Sequence, residues 1–316
     1  MLDDYEKLWY LRLQYQSVST LTLHTMHLVS KGMVKTFLGA VGYLTCGGDG
    51  DKSETPILCF HSSPRSSDEF LEVMPLLAAS GRHVIALDTP GYGISESPCK
   101  SCSMDEIADA FLEVVDELGI DKFIVVGNLM GNFPAISLAS RNPTRVSACI
   151  LANIYYNEVS PDNDPKAKKA KTAEVAPIED SFVLQDDGSH LSELHNKRAW
   201  LDPELRLRVV RSELNYLVNR RARYKKGIAI QDSSTFDFES QASITKCPTL
   251  CIRGEACLTF FDKIGLEGTK KFDAGSKLLG GEVKSICGPT STLNMINQAP
   301  EVFAAFCNQF LKTQKL

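Results

Sequence analysis

Short, mostly apolar runs recur along this chain at the spacing of strands that alternate with helices. They are PILCFH at 56–61, HVIALD at 83–88, FIVVG at 123–127, VSACILAN at 146–153, PTLCIRG at 248–254 and VKSIC at 283–287. Runs this short, with little polar alternation, predict strands of a parallel sheet covered on both faces. Between them, helical periodicity appears at 104–118, 131–141 and 300–312. The first of these helices opens with Ser103 and Glu106 at capping-box spacing. FLGAVGYLTCGG, just before the first run, reads as a hairpin with glycines at its turns. The order predicts an α/β fold with a doubly wound, mainly parallel sheet.

The alternation stops between Asn157 and Lys246. A lysine-rich polar stretch, SPDNDPKAKKAKTAE, reads as a solvated linker. A long helix follows, with Asp202 as N-cap, Pro203 at its first position and Gly227 past its end. Leu205, Val209, Val210, Leu214, Leu217 and Tyr224 give it one apolar face, and the basic RRARYKK at its end suits a helix C-terminus. The chain thus divides into an N-terminal extension of helical pattern (1–30), a core in two parts (31–156 and 247–316) and a helical insertion (157–246). The extension carries no chemical signature, and a homodimer contact through it stays open.

Composition narrows the function classes. The 316 residues are 43% hydrophobic and 23% charged, with a net charge of -5; such an acidic balance argues against a nucleic-acid surface. The chain begins MLDDYEKLWY, with acids where an export signal would carry base, and holds no run of about 18 apolar residues to span a bilayer. A cytoplasmic protein without a membrane partner is expected. The ten cysteines are scattered through apolar runs and read as reduced thiols. Cys99 and Cys102 form one CxxC without a second pair, so no metal site is expected. No cofactor motif is recognisable, and none is expected.

Three stretches carry candidate chemistry: FHSSPRSSDEF (60–70), ALDTPGYGISESP (86–98) and VVGNLMGN (125–132). In this order they resemble the α/β-hydrolase superfamily in its capped form, over about residues 40–312. The resemblance implies that 157–246 is a helical cap over the active-site crevice. It implies an oxyanion hole from the backbone N–H groups of Ser63 and Met130, with Ser62 where glycine is usual. It also makes VVGNLMGN the nucleophile elbow, a strained strand-to-helix turn flanked by small residues. Gly127 and Gly131 set its frame, which puts Leu129 at the nucleophile position. With leucine there, the strain is free to relax.

The other triad positions implied by the resemblance are also altered. Cys257 stands at the acid position after strand seven, uncharged Asn153 near the alternative one after strand six, and Leu293 at the histidine position. The six histidines are at 24, 27, 61, 83, 190 and 195, so none follows residue 195 to serve as the base. Loss of such a triad costs about 10⁶ in turnover. The expectation is therefore a non-hydrolytic protein that binds a small apolar or neutral molecule, or serves as a scaffold. Its ligand would contact His61, Ser62, Leu129, Asn153, Tyr155, Cys257 and Leu293. The alternative is a hydrolase, lyase or isomerase using other residues, Cys257 or His61 foremost. His190 and His195 read as part of a solvated acidic loop.

Overall fold

The computed structural model describes residues 28–48, 54–156, 185–224, 230–232 and 236–316. Residues 1–27, the lysine-rich stretch and Gly227 lie outside them. Eight strands form the central sheet: β1 (Ser30–Thr36), β2 (Gly39–Cys46), β3 (Ile57–Phe60), β4 (Val84–Leu87), β5 (Phe123–Asn128), β6 (Val146–Ala152), β7 (Thr249–Gly254) and β8 (Glu282–Ile286). Their order across the sheet is β1-β2-β4-β3-β5-β6-β7-β8. β1 and β2 are antiparallel, β2 is antiparallel to β4, and every later pairing is parallel. The mainly parallel α/β sheet expected from the apolar runs is present.

The runs are unbroken because both faces are covered. Leu58, Phe60, Ile85, Leu87, Val125 and Leu151 point to one core cluster, while their neighbours Ile57, Cys59, Val84, Ala86, Val126 and Ile150 point to the other. This is the two-residue period of a strand seen from both sides. On the first face lie α2 (Met104–Glu117) and α3 (Asn132–Arg141). On the second lie α1 (Met74–Ala78) and α10 (Pro300–Thr313). Ser103 and Glu106 form the capping box that opens α2.

Two boundaries differ from the sequence reading. The hairpin begins earlier: SKGMVKT is β1, the reversal falls at Phe37–Leu38, and Gly39 supplies φ +108 just after it. Its Lys31 and Lys35 interrupt the apolar pattern because β1 is a sheet edge, where charge discourages further pairing. In the segment between β6 and β7, α4 (Ser189–Asn196) and α5 (Pro203–Tyr224) are helical, and Asp202 caps α5 through the N–H groups of Glu204 and Leu205. The strand Ile230–Asp232 pairs with Cys102–Ser103 apart from the central sheet. α6 (Phe238–Ile244), however, belongs to the core by packing: Phe236, Phe238 and Ala242 join the α2/α3 cluster, and Gln241 bonds Ser140 and Asp105 across it. Two more helices flank the last strands, α7 (Glu255–Lys263) and α8 (Gly268–Leu279), and a short α9 (Met295–Gln298) precedes α10.

Candidate functional site

Parallel strands bring their C-terminal loops to one end of the sheet, and the candidate residues stand on the loops after β3, β5, β6, β7 and β8. The elbow is the tightest of them. Asn128 ends β5 with extended backbone, Leu129 turns to φ +48, and α3 starts at Asn132. Both flanking glycines are required: a Cβ on Gly127 would stand 2.6 Å from the Gly131 carbonyl oxygen, and one on Gly131 would stand 2.0 Å from that of Phe60. The left-handed conformation costs a leucine roughly 1–2 kcal/mol. Close packing of strand, turn and helix imposes that cost. The relaxation expected with leucine at this position has not occurred: the turn keeps its left-handed backbone.

His61 is fully buried and uses both ring nitrogens. Its Nε2 accepts the Thr89 N–H at 3.0 Å, which leaves Nδ1 as the donor to the Ser62 carbonyl at 2.8 Å. This is a neutral imidazole whose lone pair is already engaged, a poor start for a general base. Cys257 is fully buried near the start of α7, where burial pushes its thiol up from 9.0 to about 12. It remains a thiol at neutral pH, with no thiolate to attack.

A polar chain crosses the strand ends. The fully buried Glu69 carboxylate accepts the Ser62 N–H at 2.6 Å, the Ser62 hydroxyl at 2.7 Å and the Asn128 amide at 3.0 Å. Asn128 Oδ1 in turn accepts the Asn153 amide at 3.4 Å, and Asn153 Oδ1 accepts the Gly254 N–H at 2.9 Å. The loops after β3, β5, β6 and β7 are thereby tied in one line. Asn128 Nδ2 also reaches the Leu293 carbonyl at 3.5 Å, on the loop after β8. The three donors from Ser62 and Asn128 converge on Glu69, and no cation stands within ion-pair distance of it among the described residues. Asn153 itself has φ +48, a conformation that asparagine tolerates better than most residues.

Leu129, Met130, Ser63 and Leu293 are half-buried. Ser63 Oγ lies 3.2 Å from Tyr92 Oη, and Met130 packs on the α2/α3 core. Tyr155 is drawn to the α7/α8 side, where its hydroxyl accepts Lys271 Nζ at 2.7 Å and its ring lies 5.5 Å from Phe261. On α4, His190 Nδ1 accepts the Gln185 N–H, a local loop contact. Cys99 is exposed and Cys102 buried. A separate surface recess, lined by Glu54, Arg82 and Lys312 among others, sits at the opposite, N-terminal ends of β3 and β4.

Sequence reasoning missed Glu69, its partner role for Asn128, and Asp68. Asp68 is also buried; it bonds Arg65 and, on α5, Ser212 at 2.9 Å. The signal was present in SSDEF, where two acids directly precede a core phenylalanine in a loop that must return to the sheet.

Known proteins share this fold. The model of the alpha/beta hydrolase fold family matches residues 55–220, more than half of the chain. A 2-hydroxy-6-oxononadienedioate/2-hydroxy-6-oxononatrienedioate hydrolase of Pseudomonas putida is 24% identical over 78% of this chain and 81% of its own length. A protein of the same name from Klebsiella pneumoniae is 35% identical over 32% of this chain, and the match spans 36% of the relative. Among solved structures, the thioesterase domain from the curacin biosynthetic pathway superposes with a TM-score of 0.65 at 16% identity, covering 88% of this chain and 99% of its own. The enol-lactonase of Burkholderia xenovorans LB400 gives 0.62 at 17% identity, covering 89% and 100%. These superpositions speak for the fold, while the family match assigns the chain: it belongs to the α/β-hydrolase fold family.

Proposed function

We propose that this family member binds a small, largely apolar or neutral molecule in the crevice at the C-terminal strand ends, and does not hydrolyse it by a Ser/His/Asp triad. The observation that carries the reading is Leu129 at the strained apex of the elbow, where a leucine side chain stands in the nucleophile's place. A carboxylate and two amides bridge the surrounding loops, so the crevice floor is fixed without a reacting group. Its wall is drier than a charged triad would leave it, which favours apolar burial at about 25 cal/mol per Å². α4 and α5 act in this reading as a cap. Fold alone carries no function, so the reading rests on these residues.

A second reading, an active enzyme, is favoured by the relatives, which are named as hydrolases. The geometry weighs against Cys257 and His61 as its reactive groups, since one is a buried thiol of raised pKa and the other has both nitrogens engaged. The purified chain assayed against p-nitrophenyl acetate and butyrate, beside a thermal-shift screen of small apolar and weakly anionic compounds, separates the two. Ligand-induced stabilisation that Leu129→Trp abolishes, without turnover, is the result expected. Turnover well above buffer hydrolysis, unaffected by Leu129→Trp, overturns the binding reading.

A further inference from the structure

At the end of the sheet opposite the crevice, where β3 and β4 begin, a recess of about 450 Å³ opens between α1 and α10. Its size lies within the range of small-molecule sites. Two helical stripes wall it: Leu76, Ala79 and Ser80 at the end of α1, and Asn308, Leu311 and Lys312 along the last turns of α10. Arg82 and Glu54 complete the lining and satisfy each other. Arg82 is 4% exposed; its Nη2 pairs with Glu54 at 2.7 Å and its Nη1 donates to the Thr55 carbonyl at 2.9 Å. Two groups in the recess are left over. Asn308 Oδ1 is buried without a donor, although buried acceptors are almost always bonded. Lys312, exposed at the rim, joins no ion pair among the described residues. A cation suits the end of a helix by itself, but that does not account for the orphaned acceptor one turn before it on the same stripe.

We propose that this recess is a second ligand site, which takes a small amphiphilic monoanion carrying an amide N–H or hydroxyl between its charge and its apolar chain. The donor of the ligand satisfies Asn308 Oδ1, its anionic group lies at Lys312, and its chain covers Leu76 and Leu311. Because the Arg82–Glu54 pair cancels its own charge, Lys312 leaves the recess net positive and selects an anion. Asn308 and Lys312 stand one helical turn apart, about 5.4 Å along the axis, so the donor and the charge of the ligand must be only a few bonds apart. An N-acylated amino acid has that layout. The recess and the crevice lie at opposite ends of the strands, and the inference does not depend on what the crevice binds.

Calorimetric titration of the full chain with N-octanoylglycine, at about 25 mM salt so that a rim charge is little screened, tests it. Binding is expected, and Lys312→Glu should weaken it about tenfold. Asn308→Leu, which removes the acceptor, should weaken it about fivefold without weakening octanoate, which has no N–H to donate. Ala79→Trp fills the recess and should abolish binding, whereas Leu129→Trp, at the other end of the sheet, should leave it unchanged. Ala79 and Lys312 are both exposed, so neither replacement disturbs the core. No binding at up to about 5 mM ligand overturns the proposal. So does binding that Leu129→Trp removes and Ala79→Trp does not, a result that would put the ligand in the crevice and speak for the crevice reading instead.

Discussion

The elbow and the acidic turn stand side by side at the same end of the sheet and are held in opposite ways. At the elbow, steric contact does the work: Gly127 and Gly131 let strand and helix approach to distances no side chain would allow, and Leu129 takes a strained backbone as a result. At the turn carrying Asp68, Glu69 and Glu72, hydrogen bonds and ion pairs do it, joining the loop after β3 to Asn128, to Asn297 and to α5. The difference teaches that geometry fixed by packing does not hang on any one polar partner. Geometry fixed by polar contacts depends on each partner, and it responds to solvent conditions that packing ignores.

Alkali should produce the largest effect, and it acts on the packed region. Burial raises the thiols of Cys251 and Cys257 from 9.0 to about 12, and pushes Cys59 and Cys149 well above the ordinary value. In the unfolded chain these thiols ionise near pH 9. The folded chain keeps protons that the unfolded chain has shed, so stability is full below pH 9 and falls as pH rises toward 12. The rise at Cys251 or Cys257 corresponds to roughly 4 kcal/mol each at the alkaline limit. Urea midpoints measured from pH 8 to 11 should fall steeply, and Cys251→Val should make the fall shallower. A flat profile would mean that the thiols are hydrated.

Gly131→Val tests the steric side directly. The new Cβ would meet the Phe60 carbonyl oxygen at 2.0 Å, and backbone cannot swing aside as a flexible side chain can. A loss of about 4 kcal/mol is expected, read from urea denaturation. A loss under about 1 kcal/mol would show that the elbow adapts and that its glycines are dispensable.

Glu69→Leu tests the polar side. It leaves the Ser62 N–H, the Ser62 hydroxyl and one Asn128 amide hydrogen bond without their acceptor, at about 2–3 kcal/mol. Glu69→Gln keeps one acceptor oxygen and should cost less. An equal loss in both would mean that the network needs both carboxylate oxygens, since a glutamine keeps the volume and one acceptor.

The two regions were unequally legible in the sequence. The elbow was readable because its rule is local: small residues two before and two after a central position, at the end of an apolar strand, single out Leu129. The strands were readable for the same reason, since Ile57–Phe60 or Phe123–Asn128 announce double burial by composition alone. Glu69 left only a faint trace, two acids ahead of the core Phe70. Acids in a loop normally face water, and its burial depends on Ser62 and Asn128, which stand 7 and 59 residues away. α6 escaped because Phe238 and Ala242 gain their meaning only from packing with the α2/α3 cluster. His61 was read as a candidate reactive group since sequence shows a ring and not the Thr89 N–H that occupies it.

The smallest expected effect separates strain from hydrophobicity at Leu129. In the left-handed region a β-branched residue is the worst fit and glycine the best. Leu129→Val keeps an apolar side chain but adds a branch at Cβ, and should lose about 1–2 kcal/mol. Leu129→Gly removes the side chain altogether, yet relief of strain offsets both the lost half-buried contact and the greater freedom of the unfolded chain, leaving stability within about 1 kcal/mol of the parent. The order is what matters: glycine at least as stable as valine, opposite to the ranking by apolar area. Urea midpoints for the two variants, measured at pH 7, read it out. Valine the more stable would mean that the turn relaxes after all, and that the elbow, like the acidic turn, yields when its central side chain changes.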